Sequence, residues 1–300
     1  MKTLTIFTPT YNRAHLLRRV YESLVTQTCR DFEWLVVDDG STDFTRQLVE
    51  EWQREGRMEI AYVYKPNGGL HTAYNTAYAM IETELSMCVD SDDFLPDDAV
   101  EIITDEWRRR GGEEYAGLLG LDFDYDTMEP IGGHFPEGMT ECWFLDLYTR
   151  RIHRGDTKPV LRTALMREVS PQVGFEGEKH FNPVYSMLKV CDRKKLLVVD
   201  RCLCIVDYQT GADSMSEQIY AQYVGSPRSF AKLRALEMTL DRSPLVNSLR
   251  VAIHYNSSVA IARRRGLTDI PPSPRPLLTA LTYLPGLLLA RHILKRCPIR

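Results

Sequence analysis

Residues 85–93 read Leu-Ser-Met-Cys-Val-Asp-Ser-Asp-Asp, an apolar run that passes directly into an acidic turn. The apolar part, residues 85–89, has the length and composition of a strand that is buried on both faces of a sheet. Residues 90–93 would then place three carboxylates at one edge of that sheet. Because crowded carboxylates repel one another, a hard divalent cation, Mg²⁺ or Mn²⁺, is expected to hold them. The alternative is a solvated acidic turn that leads into a helix beginning near Pro96.

Three other apolar runs predict further strands in the first third of the chain. They are residues 4–8, which Pro9 is expected to end, residues 32–37 and residues 60–64. Helical patterns alternate with them, at residues 14–28, 42–54, 70–81 and from about 96 to 110. This alternation predicts an α/β fold, with a mostly parallel, doubly wound, Rossmann-like sheet and helices on both faces. After residue 115 the alternation weakens and a more irregular half begins.

Two more turns are expected at the same edge of the sheet as residues 90–93. Residues 9–13 (Pro-Thr-Tyr-Asn-Arg) follow the first strand, and residues 38–43 (Asp-Asp-Gly-Ser-Thr-Asp) follow the second. Ligands of such folds bind at the carboxyl ends of the strands. An aspartate there can accept a hydrogen bond from a base or a ribose, and Tyr11 can stack on a base or simply pack. The serine and threonine of the second turn can also cap the following helix.

The composition limits the class of protein. The chain has 300 residues, of which 44% are hydrophobic and 26% charged, and this excludes disordered, collagenous and coiled-coil proteins. A net charge of −4 argues against a nucleic-acid partner. The charge is uneven: residues 243–300 carry nine Lys or Arg and one acid, so they hold +8 and the preceding residues −12. Seven cysteines without a CxxC pair, and no signal-peptide pattern, predict a cytoplasmic protein.

The basic C-terminal region has two interpretations. Residues 271–276 are proline-rich and predict a stiff linker, and residues 277–289 are almost wholly apolar. That run is too short to span a bilayer, and Arg291 closes it. One interpretation is an interfacial segment that makes a peripheral contact with an anionic membrane, at the inner face of the cytoplasmic membrane. The other is a C-terminal helix that docks on the catalytic domain.

Four motifs of the first hundred residues, in this order and spacing, resemble those of the family 2 glycosyltransferases. The motifs are Thr8-Pro9-Thr10-Tyr11-Asn12-Arg13, Val37-Asp38-Asp39-Gly40-Ser41-Thr42-Asp43, Asn67-Gly68-Gly69 with Ala73 and Asn75, and Asp90-Ser91-Asp92-Asp93. The resemblance implies a GT-A fold, a nucleotide-diphospho-sugar donor (UDP-linked by expectation) and Mn²⁺ or Mg²⁺ as cofactor. It also implies inversion at the anomeric carbon and a glycan or lipid-linked acceptor.

The resemblance also implies a donor site. Its residues are Thr8, Pro9, Tyr11, Arg13, Asp39, Asn67, Gly69, Asn75, Asp90 and Ser91. Of these, Pro9, Tyr11 and Asp39 would surround the nucleotide base. Asp92 is the expected direct metal ligand, and Asp90 would lie near both the metal and the ribose.

The expected catalytic base is a carboxylate of residues 175–181 (Phe-Glu-Gly-Glu-Lys-His-Phe). Many members of the family carry a Glu-Asp pair in this region, and its Asp is the usual base, but here Lys179 stands where that Asp is expected. The segment resembles a bacterial-type polysaccharide-assembly subgroup with Glu-Gly-Glu-Lys. Glu178 is the first choice of base and Glu176 the second; alternatively, Glu178 pairs structurally with a Lys or Arg. Residues 207–211, with Ser214, resemble the segment that closes over the donor phosphates.

These observations predict a catalytic domain at residues 1–240, followed by a basic helical region at 241–300. Within the domain, residues 1–110 would bind the nucleotide-sugar and residues 111–240 the acceptor. The expected activity is an inverting, metal-assisted single displacement in cell-surface polysaccharide or glycolipid synthesis. Two alternatives remain: a Mg²⁺-dependent nucleotidyltransferase, although residues 9–13 lack the glycine of a phosphate loop, and a non-catalytic sugar-nucleotide-binding protein.

Overall fold

The computed structural model of the chain describes residues 2–209, 218–240 and 242–299. Its internal contacts divide the chain into two compact units. The first comprises residues 1–68, 72–171 and 189–208, and the second residues 69–71, 172–188 and 209–300. The prediction of a donor half and an acceptor half is a functional one, and it stays a prediction.

The first unit is built on an eight-stranded sheet with the strand order β3-β2-β1-β4-β7-β5-β8-β6. The strands are β1 (Leu4–Thr10), β2 (Phe32–Asp38), β3 (Ile60–Tyr64), β4 (Leu85–Cys88), β5 (Tyr115–Asp124), β6 (Glu141–Cys142), β7 (Thr157–Arg162) and β8 (Lys195–Val206). The first four strands are mutually parallel, and β7 runs antiparallel to both β4 and β5. The sheet and the helices that alternate with its strands confirm the predicted α/β class.

Twelve helices occur in the described ranges. They are α1 (Ala14–Val25), α2 (Thr45–Glu55), α3 (Leu70–Met80), α4 (Ala99–Arg110), α5 (Phe144–Thr149), α6 (Thr163–Val169), α7 (Val184–Cys191), α8 (Ile219–Gly225), α9 (Pro227–Thr239), α10 (Leu245–Arg264), α11 (Pro276–Leu281) and α12 (Tyr283–Arg296). Helices α10 to α12 confirm the predicted helical C-terminal region. No helix among these residues combines the length and the apolarity that crossing a bilayer requires.

The core explains why the apolar runs form strands. Side chains of β1, β2 and β4 such as Leu4, Trp34 and Leu85 are fully buried and join one hydrophobic cluster with residues of α1, α2 and α4. Burying each such side chain contributes about 1.5–3 kcal/mol to the free energy of folding, so the apolar runs stabilise the central strands of the sheet. The carboxyl ends of these strands consequently meet at one edge.

The first strand continues through Pro9, which contradicts its expected end. Pro9 pairs in register with Val37 of β2, and β1 ends at Thr10. The Phe7 carbonyl accepts a hydrogen bond from the N–H of Val89, which follows β4, whereas the Thr10 carbonyl accepts one from the N–H of Asp39, which follows β2. Alternate residues of a strand direct their backbone groups to opposite neighbours, so Pro9, like Phe7, faces the β4 side. The β1–β4 ladder ends at Phe7, so the N–H that Pro9 lacks costs no ladder hydrogen bond.

Candidate functional site

The turns after β1 and β2 are joined by hydrogen bonds of Asn12. Its backbone N–H donates to the Ser41 Oγ (2.9 Å), and its side-chain Oδ1 accepts from the N–H of Thr42 (2.8 Å). The sequence predicted that Ser41 or Thr42 could cap the next helix. Their contacts are instead with Asn12, so this prediction is wrong. Asp43 serves the start of α2 instead, because its Oδ1 accepts from the N–H and the hydroxyl of Thr45. The first two predicted turns thus form one connected surface.

Arg13 joins the turn after β1 to the acidic turn after β4. Its Nη1 lies 3.1 Å from Asp92 Oδ2 and 3.3 Å from the Ser91 Oγ. The two side chains of the ion pair are 21% and 17% exposed, so the pair lies at the rim of the site. The convergence of all three turns at the carboxyl edge of β1, β2 and β4 is therefore confirmed.

The acidic turn has the properties of a cation site. Burial raises the pKa of the Asp92 carboxyl; Arg13 opposes this shift and the neighbouring Asp90 adds to it. Asp90 itself is exposed. Two neighbouring carboxylates repel each other, and a nearby positive charge reduces that repulsion. The Arg13 guanidinium supplies this charge.

The donor set fits a divalent metal that also binds the substrate. In the described part of the chain no group of three His, Cys, Asp or Glu side chains could hold a metal ion. Asp90 and Asp92 remain as hard oxygen donors, two residues apart. Mg²⁺ in particular is bound by one or two carboxylates plus substrate phosphates and waters. These two residues therefore suit a cation whose remaining ligands come from a diphosphate.

A buried ion cluster lies directly behind the acidic turn. The Lys158 Nζ of β7 is 3.6 Å from Asp93 Oδ2 and 3.7 Å from Asp122 Oδ1 of β5. All three residues are buried. Burial alone would lower the pKa of the Lys158 ammonium, but the two carboxylates raise it well above its ordinary value. Burial raises the pKa of Asp122 to about 6, against the attraction of Lys158.

Sequence reasoning missed Lys158 and Asp122. The available signal was a charged residue inside each of two apolar strand patterns, at residues 157–162 and 115–124. Charged residues are almost never fully buried unless they are paired. A lysine and an aspartate in two such strands would thus have indicated a buried pair.

The turn after β2 contains Asp38 and Asp39. Asp38 Oδ1 accepts from the N–H of Ser41 (2.7 Å) and Oδ2 from the hydroxyl of Tyr62 (2.6 Å). Asp39 contacts the Lys65 ammonium, and its Oδ1 accepts from the N–H of Gly68 (3.0 Å). Asp38 therefore maintains the turn, while Asp39 connects it to the Asn-Gly-Gly motif.

The residues of the first motif are divided between the surface and the core. Tyr11 is 49% exposed, as a residue that stacks on a base would be. Thr8 is fully buried, and its Oγ1 accepts a hydrogen bond from the Trp34 indole (3.0 Å). Pro9 is buried within β1. The side chain of Thr8 thus lies in the core, as do all residues of β1, and its place in the donor site stays a prediction.

The third motif is divided between the units. Asn67 and Asn75 belong to the first unit and are partly exposed, whereas Gly69 belongs to the second. Gly69 has a φ of +92°, and a Cβ there would lie 2.1 Å from the Lys179 carbonyl oxygen. Only glycine allows this approach. Gly69 therefore allows the backbone of the Glu-Gly-Glu-Lys segment to approach it closely, which a larger residue would prevent.

Glu178 is a buried carboxylate at the start of α9. Its Oε1 accepts from the N–H (3.1 Å) and the Nε (3.0 Å) of Arg228, and its Oε2 accepts from the N–H of Ser229 (2.7 Å). Arg228 and Ser229 lie in the first turn of α9, where free N–H groups and the helix dipole favour an anion. Glu178 is 4% exposed, and its carboxylate accepts hydrogen bonds at the start of α9, as the structural alternative expects; its role as the base stays a prediction.

Glu176 is the accessible carboxylate of this segment. It is exposed, and within the described residues its side chain has no hydrogen bond or ion pair. Only its carbonyl oxygen is engaged, by the Arg228 Nη2 (2.7 Å). The segment thus offers one buried and one solvent-facing glutamate.

The predicted closing segment is described only in part. Asp207 pairs with the Arg19 Nη1 at 2.5 Å, and the Tyr208 hydroxyl donates to Asp156 Oδ2 at 2.8 Å. Thr210, Gly211 and Ser214 lie outside the described residues.

Residues 5–113 match the family described as Glycosyl transferase family 2. Over 106 residues the chain is 36% identical to a chondroitin synthase of Escherichia coli, which covers 35% of this chain and 15% of that protein. Over 97 residues it is 33% identical to the poly(ribitol-phosphate) beta-N-acetylglucosaminyltransferase TarS of Staphylococcus aureus, covering 32% of this chain and 17% of TarS. The chain thus matches only about a sixth of the length of these curated relatives.

Solved structures show the same fold over almost the whole chain. Staphylococcus aureus TarS 1–349 in complex with UDP-GlcNAc has a TM-score of 0.61 at 19% identity, covering 94% of this chain and 79% of that one. The mannosyltransferase PcManGT of Pyrobaculum calidifontis, in complex with GDP-Man and Mn²⁺, has a TM-score of 0.58 at 14% identity, covering 99% and 88%. Residues 5–113 thus match the glycosyl transferase family 2 model, and the described residues have the fold of these solved structures.

Proposed function

We propose that this chain transfers a sugar from a nucleotide-diphospho-sugar to an acceptor hydroxyl. The observation that carries the proposal is the convergence of three turns at one sheet edge, with Asp39, Tyr11 and the Arg13–Asp92 pair in them. An exposed aromatic ring suits a base, and a guanidinium beside paired carboxylates suits a phosphate–metal group. The matched structures bind UDP-GlcNAc and GDP-Man, which supports a nucleotide-sugar of this class as donor.

Asp90 and Asp92 would hold a divalent cation together with the donor diphosphate. Such a cation stabilises the negative charge that develops on the leaving phosphate. Arg13 faces Asp92 from the neighbouring turn, and a guanidinium can bind phosphate oxygens with two parallel hydrogen bonds. Its proposed role is to bind the diphosphate beside the carboxylates.

The proposed reaction is a single displacement with inversion. A carboxylate takes the proton of the acceptor hydroxyl, and the acceptor oxygen forms a bond to the anomeric carbon. The bond between that carbon and the phosphate oxygen breaks, and the nucleoside diphosphate leaves. The base must be able to reach the acceptor proton. Of the two glutamates, Glu176 is exposed and Glu178 is buried and hydrogen-bonded, which supports Glu176 as the proposed base and Glu178 in a positioning role.

Substitution of each glutamate separates the two roles. Glu176→Gln is expected to leave the melting temperature unchanged and to slow transfer at least ~100-fold, the scale of general-base loss. Glu178→Gln is expected to lower the free energy of unfolding by about 1–3 kcal/mol, because it removes a buried charge that accepts three hydrogen bonds. The measurements are initial rates at saturating donor and urea unfolding. A large rate loss in Glu178→Gln at unchanged stability, with normal rates in Glu176→Gln, would return the base to Glu178.

The activity itself is tested with a panel of nucleotide sugars. With Mn²⁺ present, UDP-linked or GDP-linked sugars are expected to raise the melting temperature and to release nucleoside diphosphate, slowly in water and faster with an acceptor. Binding without release would identify a non-catalytic sugar-nucleotide-binding protein. Release of inorganic pyrophosphate from a nucleoside triphosphate, with no release from any sugar nucleotide, would identify a nucleotidyltransferase.

The acceptor is proposed to be a glycan or a lipid-linked sugar at the cytoplasmic membrane. The support is the identity of the relatives, which include a chondroitin synthase and a poly(ribitol-phosphate) glycosyltransferase. Both act, by their names, on polymers. The sugar and the linkage depend on the acceptor, and a screen of acceptors with the best donor identifies both.

A further inference from the structure

Helix α12 has an inner face that packs against α10. Gly286, Ala290 and Ile293 are buried, and the last two share a hydrophobic cluster with Ile261 of α10. A Cβ at Gly286 would lie 2.3 Å from the Cβ of Asn256, so the glycine permits close helix approach. The inner face therefore packs within the second unit, against a helix of the same C-terminal region.

The outer face of α11 and α12 begins with four leucines that pack against little. Leu277, Leu281, Leu284 and Leu288 are 84%, 79%, 70% and 63% exposed. They are spaced by four, three and four residues, which is the repeat of one side of a helix. Hydrogen bonds from the Thr282 N–H to the Leu278 carbonyl and from the Gly286 N–H to the Thr282 carbonyl carry the helical path across the junction. Scattered exposed leucines are ordinary, but a row of four is not.

The same spacing continues into basic residues. Arg291 and Lys295 follow Leu288 by three and seven positions, and both are exposed, as is the adjacent Arg296. No Asp or Glu occurs after Asp269. We call the row Leu277, Leu281, Leu284, Leu288, Arg291 and Lys295 the outer stripe. It is apolar over its first part and cationic over its second.

We propose that the outer stripe binds the surface of an anionic lipid bilayer. An interfacial helix places its leucines at the boundary of headgroups and acyl chains, and its basic side chains among anionic headgroups. The stripe supplies both chemistries along one line of a helix whose other side is already packed. This surface gives the chain a location independent of its proposed transfer activity.

Charge favours a bilayer over a second copy of the chain on this face. Two outer stripes that met in parallel would bring Arg291 and Lys295 against the same cations. Two that met antiparallel would cover leucines with ammonium and guanidinium groups, which lose water without gaining a partner. An anionic bilayer satisfies the leucines and the cations together.

Point substitutions test the proposal, since deletion of the tail would also remove the inner face. Wild type is expected to co-sediment with vesicles of phosphatidylglycerol and phosphatidylcholine in equal parts, and only weakly with phosphatidylcholine alone. Leu281→Ser/Leu284→Ser/Leu288→Ser is expected to lower partitioning at least ~100-fold, from the apolar surface removed. Arg291→Gln/Lys295→Gln is expected to lower it about thirtyfold at low salt, and less at high salt.

A matched control carries polar substitutions at exposed apolar residues elsewhere. Val173 and Met128 are 64% and 53% exposed, and Val173→Ser/Met128→Ser is expected to partition like wild type. Circular dichroism and melting temperature should be unchanged in all variants, because every substituted side chain is exposed. Wild-type partitioning of the leucine variant would overturn the proposal. So would a wild-type protein that is dimeric and binds no vesicles, which would assign this face to a second copy.

Discussion

Asp92→Asn is expected to abolish metal-dependent donor binding and transfer while the protein stays folded. The substitution keeps the shape of the side chain but removes the charge that a divalent cation and Arg13 both require. Loss of a direct ligand should weaken metal affinity more than the 10–100-fold typical of residues that only support ligands, so we expect over ~100-fold. The Arg13–Asp92 side chains are only 21% and 17% exposed, so the loss should exceed the ~0–1 kcal/mol of a surface pair but still leave the protein folded.

The measurements for Asp92→Asn are Mn²⁺ titration by calorimetry with the nucleoside diphosphate present, and initial rates of transfer. Asp126→Asn is the matched control, because Asp126 is an exposed aspartate in a turn outside the site. It should behave like wild type in both measurements. If Asp92→Asn bound Mn²⁺ and donor as wild type does, Asp92 would not be the ligand.

Lys158→Met is expected to cause the largest loss of stability among these substitutions. Methionine fills a similar volume but leaves Asp93 and Asp122 buried without their cation. Breaking a buried pair in this way costs about 3–5 kcal/mol. Urea unfolding should show a midpoint shift of that size.

Lys195→Met is the control for the Lys158 substitution. Lys195, the first residue of β8, also forms an ion pair with a residue of another strand, Glu141 of β6. The two side chains are 38% and 36% exposed. Surface pairs contribute about 0–1 kcal/mol, so this variant should unfold almost as wild type does. The double variant Lys158→Met/Asp122→Asn should recover part of the loss, since it removes one unpaired carboxylate. Equal stability of Lys158→Met and Lys195→Met would show that the cluster is not a buried ion pair.

The strands that form the carboxyl edge of the sheet could be predicted from the sequence. Leu4–Thr10, Phe32–Asp38 and Leu85–Cys88 were predictable as strands because side chains buried on both faces leave a continuous apolar run. Parallel strands then bring their carboxyl ends together, so the meeting of the three turns followed from the β-α order. The prediction that β1 ends before Pro9 was wrong. A proline is tolerated there because of the neighbour that its backbone faces, which the local sequence does not show.

Tertiary structure decided the partners of Glu178 and Lys158. A carboxylate is the same letter in a sequence whether it faces solvent or a helix start, and the partner of Glu178 lies 50 residues further along, at the start of α9. Lys158 is likewise paired with Asp93 and Asp122 only because β7 lies between β4 and β5, an order that no local pattern encodes. Local sequence thus determined the strands, the turns and their common edge, because periodic burial is a local property. Which charges are buried and paired was decided by packing between distant segments, because desolvation depends on everything that surrounds a side chain.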